Sequence, residues 1–367
     1  MEITLGYDIN RIFSRKPNFG AHYAANLVKA LVSVDDCLEL VLYSNQKKSA
    51  LSKFKDILGH PEVKFRNYIS PKRLFTDKKL DVFHGFGDFR PDSKRFKRVI
   101  SLTDFSVFKV SSFGENDQQN RANKYIDSLK HYEKIVCPSK SAAKLIVEYM
   151  PDRANDIVVI EPGLDFEYKK LPDEKSIART KEELGIAEDF FLYIGKMEIG
   201  RNIPVMIKGY IEYWRRSQSV PSLVMVTDGN ESAAESLLSG TELLRSKGKL
   251  ITTGNLSDEQ LLNLYSSANA LIHPVATDFY SPQVIEAMAM GVPVLCSAIG
   301  FGAELEHDSA RFIDPGDRDD ICNALDAVEN NTQYRNKLIE GGKRFTARYR
   351  WPNAASAVLE LYSNLLK

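Results

Sequence analysis

ALIHPVATDFYSPQVIEAMAMGVPVLCS, residues 270–297, contains the pattern that decides the fold. ALIHPV is a short apolar run that ends at a polar loop, and PVLCSA begins another such run directly after Gly291. The helical stretch between them starts near Pro282, a residue favoured in the first turn of a helix, and ends at Gly291. A strand, a helix and a second strand in this order predict a unit of parallel sheet.

The same alternation extends in both directions along the chain. The other predicted strands are short apolar runs bounded by turn residues: ITLGYDI, LELVLYS, VKFRNY, DVFHGF, RVISLTD, KIVCPS, FFLYIG, PSLVMVTDG, KLITTG and ARFID. The pattern restarts after residues 162–175, where Pro162, Gly163 and Pro172 interrupt a polar stretch. We therefore expect an α/β protein with two doubly wound, Rossmann-like domains. Because ligands of such sheets bind at the carboxyl ends of the strands, the active site is expected in an interdomain cleft.

Composition limits the function classes. The chain has 367 residues, of which 43% are hydrophobic and 27% are charged, which is typical of a globular protein with a sizeable core. No apolar run is long enough to span a bilayer, and the alternating N-terminus MEITLGYDIN indicates a strand and not a signal peptide. The four cysteines are far apart and form no CxxC pair, so we interpret them as core residues of an intracellular protein and expect neither a zinc site nor a redox motif.

The net charge of zero conceals an asymmetry. Residues 1–170 contain 29 Lys and Arg against 22 Asp and Glu, which leaves 20 against 27 of the total of 49 each for the rest. This half has basic runs at Lys72-Arg73, Lys78-Lys79 and Lys94-Arg95-Phe96-Lys97-Arg98. A basic half indicates contact with something anionic, although an unevenly charged, solvated surface explains the same numbers. Nucleic acid is not expected, because no known binding module or aromatic-interleaved basic stripe is present.

The loop after FFLYIG has two glycines and two cations ahead of a helical stretch. Gly195 and Gly200 allow a backbone to approach a phosphate closely, and Lys196 and Arg201 could neutralise a diphosphate at the helix N-terminus. A tight turn with two solvated cations explains this loop by itself equally well. The segment does not have the pattern GxxxxGK[ST], so a P-loop is not supported.

Two carboxylates flank the start of the helix near Pro282. Asp278 precedes the helix and Glu286 lies about one turn inside it, with Ser281 as the candidate cap. Carboxylates accept hydrogen bonds from vicinal hydroxyls and helix N-terminal amides suit phosphate oxygens, so a ribose diphosphate that carries a sugar could use both. The alternative is that Asp278 belongs to the helix start and Glu286 is a solvated helix position.

These elements together resemble the retaining glycosyltransferases of family four, which have the GT-B fold. The family's carboxylate, seven residues and Glu-Ala-Met-Ala followed by Gly-Val-Pro-Val are matched by Asp278 and residues 286–294. Its Gly-Arg…Lys element is similar to residues 195–201, with the two cations exchanged in type. Residues 226–229 (VTDG) and 254–261 (GNLSDEQL) look like two further family segments.

The resemblance implies a role for each candidate residue. Glu286 would hold the ribose hydroxyls, Asp278 would lie near hydroxyls of the transferred sugar, and Lys196 and Arg201 would stabilise the diphosphate leaving group. The other candidate donor contacts are loop residues: Gly195, Phe279, Tyr280, Ser281, Gly254, Leu256 and, in the first domain, Gly20. Neither a divalent metal nor another cofactor is then expected, and Asp317-Arg318-Asp319 is interpreted as a helix start.

The first domain departs from the family at a candidate catalytic position, and its turn at residues 18–22 has one glycine where the family's turn is rich in glycine. Where the family often has His-Asp, this chain has Thr103-Asp104, so Asp104 becomes a candidate acceptor-side catalytic residue. A structural Asp at a strand end is the alternative. His22 and His84 follow strands of this domain, where either could face the cleft or serve the fold.

The implied function is a metal-independent hexosyltransferase. It would transfer a hexose with retention from GDP-mannose or a UDP-sugar to a glycan or lipid-linked acceptor in bacterial surface polysaccharide assembly. Residues 1–165 would form the acceptor-side domain, 166–348 the donor domain, and 349–367 a helix that crosses back, with Trp351 as an anchor. We expect a cytoplasmic location with peripheral contact to the inner face of an anionic membrane. A nucleotide-sugar epimerase of the same fold and a degenerate, non-catalytic glycan- or partner-binding protein are the alternatives.

Overall fold

The chain forms two compact α/β units. The computed structural model describes residues 3–13, 19–34, 38–44, 63–67, 80–86, 95–108, 115–164, 171–217, 220–228, 236–276 and 278–367. The first unit comprises Met1–Gly163 and Arg348–Lys367, and the second comprises Leu164–Ala347. Each unit contains one parallel sheet, which confirms the predicted pair of doubly wound domains. Of the predicted basic runs, Lys72, Arg73, Lys78, Lys79 and Lys94 lie outside the described residues.

The strands and helices follow the predicted alternation. The strands are β1 (Ile3–Asp8), β2 (Leu38–Ser44), β3 (Lys64–Asn67), β4 (Val82–Gly85), β5 (Lys97–Ser101), β6 (Lys134–Cys137), β7 (Ile157–Val159), β8 (Phe190–Ile194), β9 (Ser222–Val226), β10 (Leu250–Thr253), β11 (Ala270–His273), β12 (Val294–Ser297) and β13 (Arg311–Ile313). The helices are α1 (Phe19–Val34), α2 (Glu115–Leu129), α3 (Lys140–Tyr149), α4 (Glu174–Glu183), α5 (Ile203–Arg216), α6 (Glu242–Ser246), α7 (Asp258–Ser267), α8 (Pro282–Ala289), α9 (Arg318–Asn330), α10 (Thr332–Thr346) and α11 (Trp351–Leu365).

The first unit has the sheet order β3-β2-β1-β4-β5-β6-β7. Its central strand β1 pairs in parallel with β2 and β4, and nearly all of its side chains are buried. A parallel sheet is covered on both faces, which fits the burial of β1 along nearly its whole length although its sequence, ITLGYD, alternates.

The last helix completes the core of the first unit. Helix α11 packs against α1, and the buried ring of Trp351 meets that of Tyr23 edge-to-face at 5.5 Å between centroids. Gly163 lies directly beneath, where an added Cβ would come within 2.1 Å of the Trp351 nitrogen. Helix α11 therefore packs against the backbone at Gly163, where the chain passes to the second unit, and Trp351 makes this contact.

His84 is buried in this core, so of the two roles left open for it the structure supports the one in the fold. Its Nε2 lies 2.8 Å from the Ser101 hydroxyl, and its Nδ1 lies 2.5 Å from the Tyr362 hydroxyl of α11. Burial lowers the pKa of His84 to about 3, because the charged ring would lose its hydration. The position at a strand end was read correctly, but α11 covers that end.

The second unit has the sheet order β10-β9-β8-β11-β12-β13. The chain builds β8, β9 and β10 outward in one direction, then crosses back and places β11 on the other side of β8. The strand order therefore reverses between β8 and β11. In doubly wound sheets, ligands bind at such a switch point, beyond the carboxyl ends of the two strands.

None of the described helices combines the length and apolar character needed to cross a bilayer.

Candidate active site

The candidate site lies in the second unit, at the carboxyl ends of β8 and β11. These strands are paired neighbours, with Leu192 beside Leu271. Residues 195–202 follow β8 and residues 274–281 follow β11, so the topology brings together the two segments with the strongest sequence signals. The candidates Arg201 and Asp278, one on each segment, are within 3.5 Å of each other.

Two hydrogen bonds fix the two loops against each other. The Asn202 side-chain amide donates to the Pro274 carbonyl at 3.0 Å, and the Ala276 N–H donates to the Gly200 carbonyl at 3.4 Å. Asn202 has φ +52°, the left-handed region, and is the non-glycine residue with a positive φ in the described part of the chain. Such a conformation costs free energy and is retained where the surroundings hold it, often at functional sites.

Asp278 is the centre of a buried polar cluster. The Ser281 hydroxyl donates to its Oδ2 at 2.7 Å, the Nε2 of His273 lies 3.2 Å from the same oxygen, and Nη1 of Arg201 lies at 3.5 Å. The side chains of Asp278 and Arg201 are only 10% and 14% exposed. A carboxylate removed from water needs such partners, and these contacts hold Asp278 and Arg201 in place relative to each other.

Ser281 occupies the N-cap position of α8, as predicted, but its side chain does not cap the helix. Its hydroxyl makes no cap hydrogen bond and donates to Asp278 instead. Pro282 follows in the first turn, where its missing N–H costs nothing. At the other end, Gly291 adopts φ +77° and ends the helix, as predicted.

The loop after β12 packs against the segment that contains Asp278. The Phe301 N–H donates to the Asp278 carbonyl at 2.8 Å, and the Phe301 ring meets that of Tyr280 edge-to-face at 5.4 Å. Gly300 has φ +57°, and a Cβ there would lie 1.9 Å from the same carbonyl. Only glycine fits this close approach, so residues 278–280 rest on a rigid base.

Glu286 on α8 has a partner that sequence reasoning missed. The hydroxyl of Tyr265 on α7 donates to Oε2 of Glu286 at 2.8 Å. The Tyr265 ring is fully buried, whereas Glu286 is half-buried. No local pattern marks this pair, since the two residues lie on different helices.

Lys196 differs from Arg201 in its surroundings. Its side chain is 62% exposed and lies 3.6 Å from Glu198, so the structure does not bring it into the Asp278 cluster. Below it, the buried Tyr193 donates to the Lys196 carbonyl at 3.2 Å, which fixes the loop backbone. Burial raises the pKa of Tyr193, so it stays a neutral donor.

The remaining donor candidates in the second unit line the same edge of the sheet. Gly195 continues the ladder by donating to Val226, and a Cβ there would lie 2.8 Å from the Tyr193 hydroxyl. Gly254 is exposed with open space around its Cα, and Leu256 and Phe279 are half-buried.

Gly20 and Asp104 belong to the first unit. Gly20 is buried in the first turn of α1. Asp104 is exposed, and its carboxylate accepts the Ser106 N–H at 2.9 Å, a turn contact that fits the structural alternative. Thr103, at the family's His position, accepts a hydrogen bond from Arg11 at 3.1 Å. His22 is exposed on α1.

In the part of the chain that the structure describes, no three His, Cys, Asp or Glu side chains come together as potential metal ligands. Asp317 accepts the Asp319 N–H at 2.8 Å and is the N-cap of α9, as predicted. The Asp317-Arg318-Asp319 segment therefore forms the N-terminus of a helix.

Comparison with known proteins now identifies the domain. The sequence model of the family described as Glycosyl transferases group 1 matches residues 175–345. The chain carries a group 1 glycosyltransferase domain. This domain falls within the second unit, Leu164–Ala347, and includes every element of the Asp278 cluster. The resemblance inferred from Asp278 and residues 286–294 is thus confirmed.

Relatives extend the similarity beyond the group 1 domain. The O-antigen chain mannosyltransferase B of Escherichia coli is 23% identical, with 94% of this chain and 95% of that protein aligned. Among solved structures, a glycosyltransferase from Rickettsia africae has a TM-score of 0.75 at 15% identity, covering 100% of this chain and 99% of its own. Anabaena Alr3699/HepE, solved in complex with UDP, has a TM-score of 0.73 at 15% identity and covers 99% and 100%. These structures show that both units have the GT-B-type fold.

Proposed function

We propose that this protein transfers a hexose, with retention of anomeric configuration, from a nucleotide-diphosphate sugar to a glycan or lipid-linked acceptor. The observation that carries the proposal is the pairing of Arg201 with Asp278 at the switch point of a group 1 domain, directly beside the N-terminus of α8. A fixed cation, helix amides and the carboxylate of Glu286 together match the chemistry of a ribose, a diphosphate and a sugar.

Arg201 is the proposed electrostatic catalyst. Breaking the anomeric bond moves negative charge onto the departing diphosphate, and a cation already in place stabilises that charge without reorganising. Asp278 orients Arg201, since it is the buried anion at 3.5 Å from Nη1. Lys196, which is exposed, adds charge from a more mobile side chain, and no metal or other cofactor is required in this scheme.

Glu286 is the proposed ribose ligand. A carboxylate has about four acceptor positions and can accept from several hydroxyl donors at once, of which the Tyr265 hydroxyl at 2.8 Å is one. Phe279, Tyr280 and Ser281 precede the N-terminus of α8, where amide groups and the helix dipole favour phosphate oxygens. Gly254 and Leu256 are assigned to the base side of the nucleotide.

Mannose is the proposed hexose and GDP-mannose the preferred donor, because the similarity to O-antigen chain mannosyltransferase B spans nearly all of both chains. By the same similarity, the proposed setting is bacterial surface polysaccharide assembly. A UDP-sugar is the rival donor and belongs in every assay.

Thermal-shift measurement with GDP, UDP, GDP-mannose and UDP-glucose tests the nucleotide site, because a ligand that binds only the folded state raises Tm. We expect a guanosine ligand to give the largest shift and Glu286→Gln to remove most of it. Glu306→Gln, an exposed carboxylate on a different loop, is the control and should keep the full shift. A full shift in Glu286→Gln contradicts the ribose assignment.

Product analysis then tests the reaction. GDP-mannose with octyl α-mannoside, a simple lipid-like acceptor, should yield GDP and an octyl dimannoside whose new linkage is α by NMR. A β linkage contradicts retention. A changed sugar in the donor without any acceptor indicates an epimerase, and nucleotide-sugar binding without hydrolysis or transfer indicates a non-catalytic protein.

Peripheral contact with an anionic membrane through the first unit is also proposed. In the described part of the basic run, Lys97 is exposed, but Arg98 is paired with Glu133 at 2.8 Å. Each Lys or Arg near an anionic membrane contributes about 1 kcal/mol to binding. Because Arg98 is already paired, the run should bind such a membrane more weakly than its sequence suggests. Co-sedimentation with vesicles of anionic phospholipid at low salt tests this, and protein left in the supernatant contradicts it.

A further inference from the structure

Two elements assigned to the nucleotide are connected by one helix. Helix α7 begins at Asp258, immediately after the loop 254–257 on the base side, and ends at Ser267. From its last turn, Tyr265 reaches Glu286 on α8 with a hydrogen bond of 2.8 Å. The base loop and the ribose carboxylate are therefore both tied to α7.

We infer that Tyr265 is a positioning residue for ribose recognition, whose hydroxyl fixes the rotamer of the Glu286 carboxylate. The inference rests on the proposed function, since it assigns a role within the same nucleotide site. The geometry supports it directly, because the Tyr265 ring is fully buried and cannot follow a moving carboxylate, whereas Glu286 is half-buried.

Helix α7 is itself held rigidly. Ser257 and Gln260 form a capping box, which satisfies two N-terminal amides and fixes where the helix starts. On its opposite side, the buried side-chain amide of Asn263 donates to the hydroxyl of Thr180 at 2.9 Å and to the carbonyl of Ser176 at 3.2 Å on α4. Tyr265 therefore projects from a fixed base.

A fixed carboxylate matters because of its geometry. One carboxylate accepts from both hydroxyls of a ribose when its two oxygens are directed at them, and a long Glu side chain loses rotamer entropy when it is held there. A hydrogen bond from a rigid phenol restricts the carboxylate to one rotamer before the nucleotide binds. The entropy cost is then not paid on binding, which is the general advantage of a preorganised site. The Tyr265 hydroxyl is thus expected to act through Glu286 and not through the ligand.

Calorimetric titration of Tyr265→Phe tests this role. The probes are GDP and UDP with their 2′,3′-dideoxy analogues, of which the pair with the larger thermal shift is used. We expect the ribonucleotide to bind about tenfold more weakly to Tyr265→Phe, a loss of about 1.4 kcal/mol. Binding of the dideoxy analogue should change by less than about twofold, since it lacks the hydroxyls that Glu286 would hold.

Tyr210→Phe is the matched control. Its buried hydroxyl donates to the Pro221 and Lys249 carbonyls at 2.8 and 2.9 Å, at the amino ends of β9 and β10 and thus at the opposite edge of the sheet. This variant should bind both nucleotides as the wild type does. A loss in Tyr265→Phe that is equal for both nucleotides, or no loss at all, overturns the positioning role.

The outcome for the wild type separates the two levels of the proposal. If the unaltered protein prefers the ribonucleotide but Tyr265→Phe does not change that preference, Glu286 keeps its role and Tyr265 loses it. If the unaltered protein binds both nucleotides equally, the ribose assignment fails and this inference fails with it. In a Glu286→Gln background, adding Tyr265→Phe should cost no further affinity, and an additional loss contradicts action through Glu286.

Discussion

Replacing Asp278 by Asn tests the buried cluster of the second unit. The substitution keeps the shape of the side chain and removes its charge. Asp278 Oδ2 accepts from Ser281 at 2.7 Å and lies 3.2 Å from His273 and 3.5 Å from Arg201. The variant therefore leaves a mostly buried guanidinium without its anion, while Ser281 can still donate to the amide oxygen.

This geometry determines the expected loss in the free energy of unfolding. Removing one partner of a buried pair costs about 3–5 kcal/mol, because the other charge stays desolvated. The separation of 3.5 Å, the exposure of 14% at Arg201 and the retained Ser281 bond lower this value, so we expect about 2–3 kcal/mol. A domain of 150–250 residues loses about 2–4 °C in Tm per kcal/mol, which gives a decrease of roughly 4–12 °C.

Differential scanning calorimetry measures this decrease, and Asp319→Asn provides the control. Asp319 pairs with Arg216 at 3.3 Å in the same unit, but the two side chains are 54% and 51% exposed. Solvent screens such a pair, so its loss should barely move Tm. If Asp278→Asn is as mild as Asp319→Asn, the cluster does not hold Arg201, and the reasoning about the leaving-group cation is refuted.

Three other perturbations have definite outcomes. Gly300→Ala should lower the Tm of the second unit far more than Gly248→Ala in thermal unfolding, because both have positive φ but only the first would place Cβ 1.9 Å from a carbonyl oxygen. Gly163→Ala should expose Trp351, seen as a red shift in its fluorescence, because the new Cβ would lie 2.1 Å from that residue's nitrogen. Burial lowers the pKa of His84 from 6.5 to about 3. Between these two pH values the unfolded chain binds more protons than the folded protein, so the free energy of unfolding decreases as the pH falls through this range. In His84→Gln, the loss of stability between pH 6.5 and 5 should be shallower in urea titrations, and an unchanged slope contradicts the assignment.

The fold could be predicted because it depends on local apolar runs. LELVLYS became β2 with identical limits, and FFLYIG became β8, since strands buried on both faces leave a continuous signal in the sequence. His84 shows the limit of this approach. Its position at a strand end was clear, but the cover supplied by α11 comes from residues far away in the chain.

The candidate site was predictable in its residues and not in their partners. Arg201, Asp278 and Glu286 stood out because strand ends and a helix start adjoin them. Ser281 has the sequence of a cap, yet a carboxylate close in space competes for its hydroxyl. The hydrogen bond from Tyr265 to Glu286 connects two helices, and the sequence of neither helix by itself indicates it.

Because α11 belongs to the first unit, that unit cannot finish folding while it is being synthesised. The ribosome must release the whole second unit before Trp351 and Tyr362 can reach the core around Tyr23 and His84. Until then, the side of α1 that packs against α11 stays uncovered. A fragment that stops at Gly163 is therefore expected to aggregate, and one that supplies α11 on a linker is expected to fold.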